Sequence, residues 1–297
     1  MQHKEYKKYW NFISKDENIT EDFIEKYQDK LNWKILSRYQ KLTENFIEKY
    51  QNKLKWEILS RYQILSENFI EKYEKNVKWK NITIYQKLSE IFIEKYQNKL
   101  KWEILPKYQK LSENFIEKYE KKINWKYVAI HQKLSENFII KYKHKLNQDD
   151  ILKYQKLSEN YIINYIDKHT DDIKWEILLG CQKLTENFII KYWDKIDSYY
   201  VMIHQKFSEN FIETNRNFSK NYIKMCINKH INKIKWEFLL VHQKFSENFI
   251  EKYQDKIDWN IVSRYQKLSE NFIEKYQDKI DWILISRYQK LSSKFSK

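Results

Sequence analysis

Apolar and polar positions along the chain fall into one pattern that recurs every 23 residues. A hydroxyl residue is followed by an acid and then by an aromatic and an isoleucine, as in Ser66-Glu67-Asn68-Phe69-Ile70. Tyr73 and Val77 complete an apolar stripe at helical spacing. The hydroxyl that opens this segment stands at Thr20, Thr43, Ser66, Ser89, Ser112, Ser135 and Ser158, then at Thr185 after a step of 27 and at Ser208 after 23. Steps of 11 to Ser219 and 27 to Ser246 follow, and 23 returns at Ser269 and Ser292. A tryptophan leads the hydroxyl by ten residues at Trp10, Trp33, Trp56, Trp79, Trp102, Trp125, Trp175, Trp236, Trp259 and Trp282; only Trp193 is out of phase.

Each period predicts two short helices. Ser66 is an N-cap, Glu67 places negative charge at the positive end of the helix dipole, and Leu65 with Ile70 occupy the positions of a hydrophobic staple. The same staple recurs as Leu42 with Ile47 and Leu268 with Ile273. The second helix opens at the tryptophan, with an acid after it in Lys55-Trp56-Glu57 or before it in Asp258-Trp259 and Asp281-Trp282. Asn32 and Asn124 offer uncharged caps, and Lys78-Trp79-Lys80 has neither. Pro106, four residues after Trp102, limits this helix to one or two turns before a polar Tyr-Gln-Lys link.

Two such helices cannot close a core alone, so neighbouring modules must stack. The expected fold is all-α: an α-solenoid of about twelve two-helix repeats forming one array over residues 1–297, regular over 10–134, irregular over 135–245 and regular over 246–297. With the indoles in the core, Trp56→Ala is expected to cost about 3–5 kcal/mol. Modules that lack the tryptophan, at Gln148 and Ser198, are expected to pack differently.

Composition narrows the class. Gly180 and Pro106 are the only glycine and proline in 297 residues, which argues against β-rich folds and glycine-loop nucleotide sites. No stretch is apolar enough for a leader peptide or a membrane span, and Cys181 and Cys226 are too few for a disulfide framework, so an intracellular, cytoplasmic protein is expected.

Trp10-Asn11-Phe12-Ile13-Ser14, followed by Asn18-Ile19-Thr20 and Phe23-Ile24, resembles the Trp-x-x-Leu-Ser…Ile-Thr repeats of giant DNA viruses of the mimivirus kind, and Trp56, Leu59, Ser60, Leu65 and Ser66 repeat the likeness. Tyr62-Gln63 replaces the Asn-Pro usual in that family. The resemblance implies a helical repeat of viral origin and carries no activity with it.

Charge supplies the candidate chemistry. The net charge is +15, and residues 121–235 carry +8 of it. Arg216, Lys220, Lys224, Lys229, His230, Lys233 and Lys235 form a stretch without an acid, a candidate face for an anionic partner. Lys141, Lys143, His144 and Lys145 make a second basic cluster. His131, Cys181, His204 and His242 share a register with Tyr39, Tyr62, Tyr265 and Tyr288 and read as core replacements for tyrosine. Layers roughly 8–10 Å apart cannot put such a column on one zinc ion, whose ligands lie about 2.0–2.3 Å away. Cys226 and His230 form a lone pair without further ligands.

The aromatics are accounted for by the core, the carboxylates by capping, and no singular catalytic constellation stands out from the repeat. The expectation is a scaffold without enzymatic activity, cofactor or metal. It would engage protein partners through an extended surface and leave membranes alone. The alternatives are a basic scaffold for nucleic acid or another polyanion, and a structural virion component.

Overall fold

The computed structural model describes residues 2–169, 173–214 and 236–292. Among the described residues every regular element is helical and no strand forms, so the chain is an all-α array of repeating helix pairs with solenoid packing between neighbours. The chain divides into two compact units, Met1–Gln155 and Lys156–Lys297.

The first unit begins with the helix Gln2–Ile13 and then alternates two kinds of helix. The six-residue kind is represented by Glu67–Lys72. Its N-cap Ser66 accepts the Phe69 N–H at 3.2 Å, and Tyr73 closes it by donating its backbone N–H to the Phe69 carbonyl. The seven-residue kind is represented by Trp56–Tyr62. Asn32, Asn124, Asp258 and Asp281 cap such helices with their side chains. Lys55 makes no such bond, and there Glu57 supplies first-turn charge instead; the helix Trp79–Tyr85 has neither device. Pro106 has its foreseen effect, leaving only the single turn Leu105–Tyr108.

Stacking buries the middle of each helix. Leu36, Leu59, Ile82, Leu105, Val128 and Ile151 from the seven-residue class and Ile47, Ile70, Ile93, Ile116 and Ile139 from the six-residue helices are fully buried, with Phe46, Phe69, Phe92, Phe115 and Phe138 beside them. Consecutive seven-residue helices pack on one another. The second unit repeats this core with Ile162, Leu178, Ile189, Val201, Ile250, Val262, Ile273 and Ile285.

Beyond Trp10, which is buried, the tryptophans do not occupy the centre of this core. From Trp33 to Trp259 those that open a helix are half-buried, and Trp282 is exposed. As first residue of a two-turn helix, the indole sits at the edge of the stack. Trp56 lies 4.9 Å from the Tyr73 ring and 6.2 Å from that of Phe69. Loss of the tryptophan therefore leaves packing intact. The helices Gln148–Tyr154 and Ser198–His204 keep seven residues and their buried Ile151, Leu152 and Val201. What goes with the tryptophan is its ring contacts, the ammonium over it and the Nε1–H bond to the carbonyl five residues earlier, as Trp79 makes to Glu74 at 3.1 Å.

The Tyr-Gln-Lys link is not a uniformly polar surface. Its tyrosine and lysine face solvent while its glutamine is buried: Gln40, Gln63, Gln86, Gln109, Gln132 and Gln155 in the first unit, Gln182, Gln205, Gln243 and Gln266 in the second. Gln63 Nε2 donates to the carbonyls of Ser37 at 3.0 Å and Gln40 at 2.7 Å, and its Oε1 accepts the Leu42 N–H at 3.1 Å. Gln86 and Gln109 make the same three bonds one and two repeats on. Both donors and the oxygen of the amide are bonded to the preceding repeat, as burial of a polar group requires.

Two further ladders cross the borders, the first of them only where a hydroxyl residue holds its register. Ser60 Oγ donates to the Trp56 carbonyl and accepts the Lys78 N–H at 3.0 Å, with Ser14, Ser37, Thr83 and Ser263 placed alike. Glu67 does more than balance its own helix dipole: one carboxylate oxygen accepts the Ser89 backbone N–H and the other the Ser89 hydroxyl, capping the next repeat.

The long steps leave these ladders in register. The step to Thr185 is absorbed by a ten-residue helix, Glu159–Lys168, and Glu159 still accepts from Thr185. Glu209 accepts from Ser246, and Gln243 Nε2 donates to the Met202 and Gln205 carbonyls, both at 2.8 Å. The repeat after Ser208 is therefore the one at Ser246, and Ser219, one of the sequence markers, lies outside the described residues.

Two measurements check this account. Gln63→Leu keeps the volume but orphans the Leu42 N–H and two buried carbonyls, and is expected to lower unfolding free energy by about 3 kcal/mol or more in urea titration. Leu59→Ala is expected to cost about 2–5 kcal/mol and to exceed Trp56→Ala, reduced by its half-buried indole to about 2 kcal/mol.

Candidate interaction surface

Two outward-facing rows of charge run along the repeats, and they differ in whether the charge is neutralised. The first belongs to the six-residue helices. Lys49 pairs with Glu25 at 2.7 Å, Lys72 with Glu48 at 2.6 Å and Lys118 with Glu94 at 2.7 Å, while Lys95 pairs with Glu71 and Lys141 with Glu117. In the second unit Lys252 pairs with Glu213 at 2.8 Å and Lys275 with Glu251 at 2.6 Å. Hydrogen bonding to the lysine holds the Glu48, Glu117 and Glu251 carboxyls below their ordinary value, and the same bonds hold Lys72, Lys141 and Lys275 above theirs. Burial pushes the neighbouring Tyr73 phenol up.

This row interrupts itself where Ile140, Ile163 and Ile190 stand in the glutamate's place; Ile140 and Ile190 are exposed.

The second row belongs to the seven-residue helices and their links. In the first unit it runs Lys15, Tyr39, Arg38, Tyr62, Arg61, Tyr85. The Lys15 ammonium lies 5.7 Å from the Tyr39 centroid, Arg38 lies 5.1 Å from Tyr39 and 4.9 Å from Tyr62, and Arg61 lies 5.0 Å from both Tyr62 and Tyr85. In the second unit Arg264 sits 5.1 Å from Tyr265 and 5.2 Å from Tyr288. These are cation–π distances. Among the described residues the ion pairs all use lysine, so Arg38, Arg61 and Arg264 keep their charge without a carboxylate. Tyr39, Tyr62 and Tyr85 are about 40% exposed, and the link lysines Lys41 and Lys87 stand in solvent.

The residues singled out from sequence fall as follows. Arg216, Lys220, Lys224, Lys229, His230, Lys233 and Lys235, together with Cys226, lie outside the described residues. Of the second basic cluster, Lys141 is paired with Glu117 and Lys145 with Glu120 at 2.8 Å, leaving Lys143 and His144 exposed. His131, Cys181 and His204 are exposed and His242 is partly so. Their column is a surface column, not a set of core replacements, because the tyrosines it replaces are themselves exposed. Among the described residues no three His, Cys, Asp or Glu side chains gather as a metal site, and no helix is long and apolar enough to cross a membrane.

Comparison with family models, curated proteins and solved structures finds no match to this chain.

The paired row predicts a pH window. The lowered carboxyls stabilise the fold above their unfolded value near 4.5 and lose this as pH falls through the folded value. The raised lysines stabilise it below their unfolded value near 10.5 and lose this as pH rises through the folded one. Thermal unfolding followed by circular dichroism is expected to give a plateau between about pH 5 and 10 with a fall on each side, and Glu48→Gln is expected to make the acid-side fall shallower.

Proposed function

We propose that this protein is a non-enzymatic helical-repeat scaffold that binds protein partners along its extended surface. The observation that carries the reading is the division of polar side chains. The glutamines, the hydroxyls and the first-turn glutamates are spent on bonds between repeats, while Arg38, Tyr39, Lys41 and their counterparts face outward as a series of near-equivalent stations. A surface of repeated stations suits an extended partner, whereas catalysis concentrates on one singular constellation. The resemblance of the Trp10–Phe23 segment to giant-virus repeats supports a setting in the cytoplasm of an infected host.

A second reading rests on the acid-free stretch from Arg216 to Lys235, which suits a nucleic-acid backbone. Affinity capture with the full chain separates the two. Protein partners are expected to stay bound at 200 mM salt, after nuclease treatment and with Lys224→Glu/Lys229→Glu. Material that is nuclease-sensitive, falls away steeply between 50 and 200 mM salt and is lost with that charge reversal would establish the nucleic-acid reading instead.

A further inference from the structure

We propose that the row from Lys15 to Tyr85 binds an extended acidic polypeptide segment whose carboxylates recur at every third residue. The inference rests on the scaffold reading above and names the chemistry of its partner.

Three cations, Lys15, Arg38 and Arg61, alternate with Tyr39, Tyr62 and Tyr85. The Tyr62 ring lies 4.9 Å from the Arg38 guanidinium and 5.0 Å from that of Arg61, so the two cations stand roughly 10 Å apart at most. A β-extended chain turns positions 1 and 4 to opposite faces, whereas a polyproline II chain advances about 9.3 Å per three-residue turn with every third side chain on one side. Acids at positions 1, 4 and 7 of such a segment therefore meet Lys15, Arg38 and Arg61 in register. Arginine's planar fork receives a carboxylate through two parallel hydrogen bonds, and among the described residues neither fork is committed to an acid.

The row is bounded. In the first repeat Asp16 occupies the tyrosine's place, its carboxylate holding the Asn18 backbone N–H at 3.0 Å and side-chain amide at 3.1 Å, and so repels an acid beyond Lys15. At the far end Ile84 occupies the arginine's place before Tyr85. Between these limits Ile64, 95% exposed, stands in the link where other repeats carry Lys41 and Lys87, an apolar contact amid the cations.

A polypeptide fits these features better than a nucleic acid. Single strands bind by stacking bases on open aromatic faces, but Tyr39 and Tyr62 each have cations against them from two repeats. Ile64 offers a contact that a side chain uses and a sugar–phosphate backbone does not.

The test is fluorescence anisotropy with the full chain at 0.15 M salt and two labelled nonapeptides of equal composition. One carries Glu at positions 1, 4 and 7 among prolines and the other carries its three Glu consecutively. The spaced peptide is expected to bind at least about tenfold more tightly. Arg38→Gln/Arg61→Gln is expected to remove that preference, and Arg38→Lys/Arg61→Lys to keep part of it, with unchanged circular dichroism in both. Equal binding of the two peptides, an Arg38→Gln/Arg61→Gln protein that still prefers the spaced one, or tighter binding of a thymidine oligonucleotide abolished by the same substitutions would each overturn the proposal. If the variant also retains its captured protein partners, the scaffold reading stands and this inference alone fails. If the native chain captures no protein, the scaffold reading itself falls.

Discussion

The buried glutamine amide is the constraint on which the stack depends. A primary amide has two donors and an acceptor to satisfy, and leaving one unpaired in an apolar interior costs as much as a sizeable packing defect. Gln63 reaches the Ser37 and Gln40 carbonyls and the Leu42 N–H only if its repeat sits at one height and one rotation on the repeat before it. Leucine and isoleucine contacts are tolerant of small slides; three simultaneous hydrogen bonds are not. The apolar residues supply the drive to stack, and the glutamine selects the register.

The same constraint explains where the array accepts extra residues. The glutamine and carboxylate ladders use only the seven-residue helix, the link after it and the first turn of the six-residue helix. The stretch from the end of that helix to the next tryptophan supplies only the N–H before the tryptophan, which the hydroxyl ladder uses. Both long steps fall in this stretch. One lengthens the helix that begins at Glu159, and the other lies between Thr214 and Trp236. In each case the carboxylate before the insertion still caps the hydroxyl after it, Glu159 with Thr185 and Glu209 with Ser246. An insertion there leaves the glutamine and carboxylate bonds between repeats in place.

The period, the helix pair, the caps and the effect of Pro106 were legible in the sequence because each is local: a hydroxyl before an acid, or a proline in a short apolar run, acts within one turn. The depth of each residue was not. Tryptophan is larger and more apolar than leucine, so composition places it at the centre, yet its position at the start of a two-turn helix puts it on the rim. Tyr62 and Gln63 are adjacent members of one polar link in the sequence, yet the tyrosine is exposed and the glutamine buried. A usable signal was present: glutamine is held at that register from Gln40 to Gln289 while the residue before it varies among Tyr, His and Cys. Between repeats of one chain, a polar residue that never varies beside an aromatic that does is the one bearing internal load.

That contrast also separates what stabilises the array from what it can recognise. Helices of six or seven residues are too short to persist in isolation, so the stability of each comes from its neighbours through the glutamine, hydroxyl and carboxylate bonds and the apolar core. The glutamines and the apolar residues face inward, and the exposed carboxylate–hydroxyl caps are spent on one another. Replacing Tyr39 by its counterparts His131 or Cys181 changes the surface without touching the ladder, and Ile64 for lysine or Ile140 for glutamate does the same. A fold held mainly by its inner face leaves the stations of the seven-residue row free to change one at a time. A specific row such as Lys15 to Tyr85 can therefore exist within an otherwise uniform repeat without any cost to the stack.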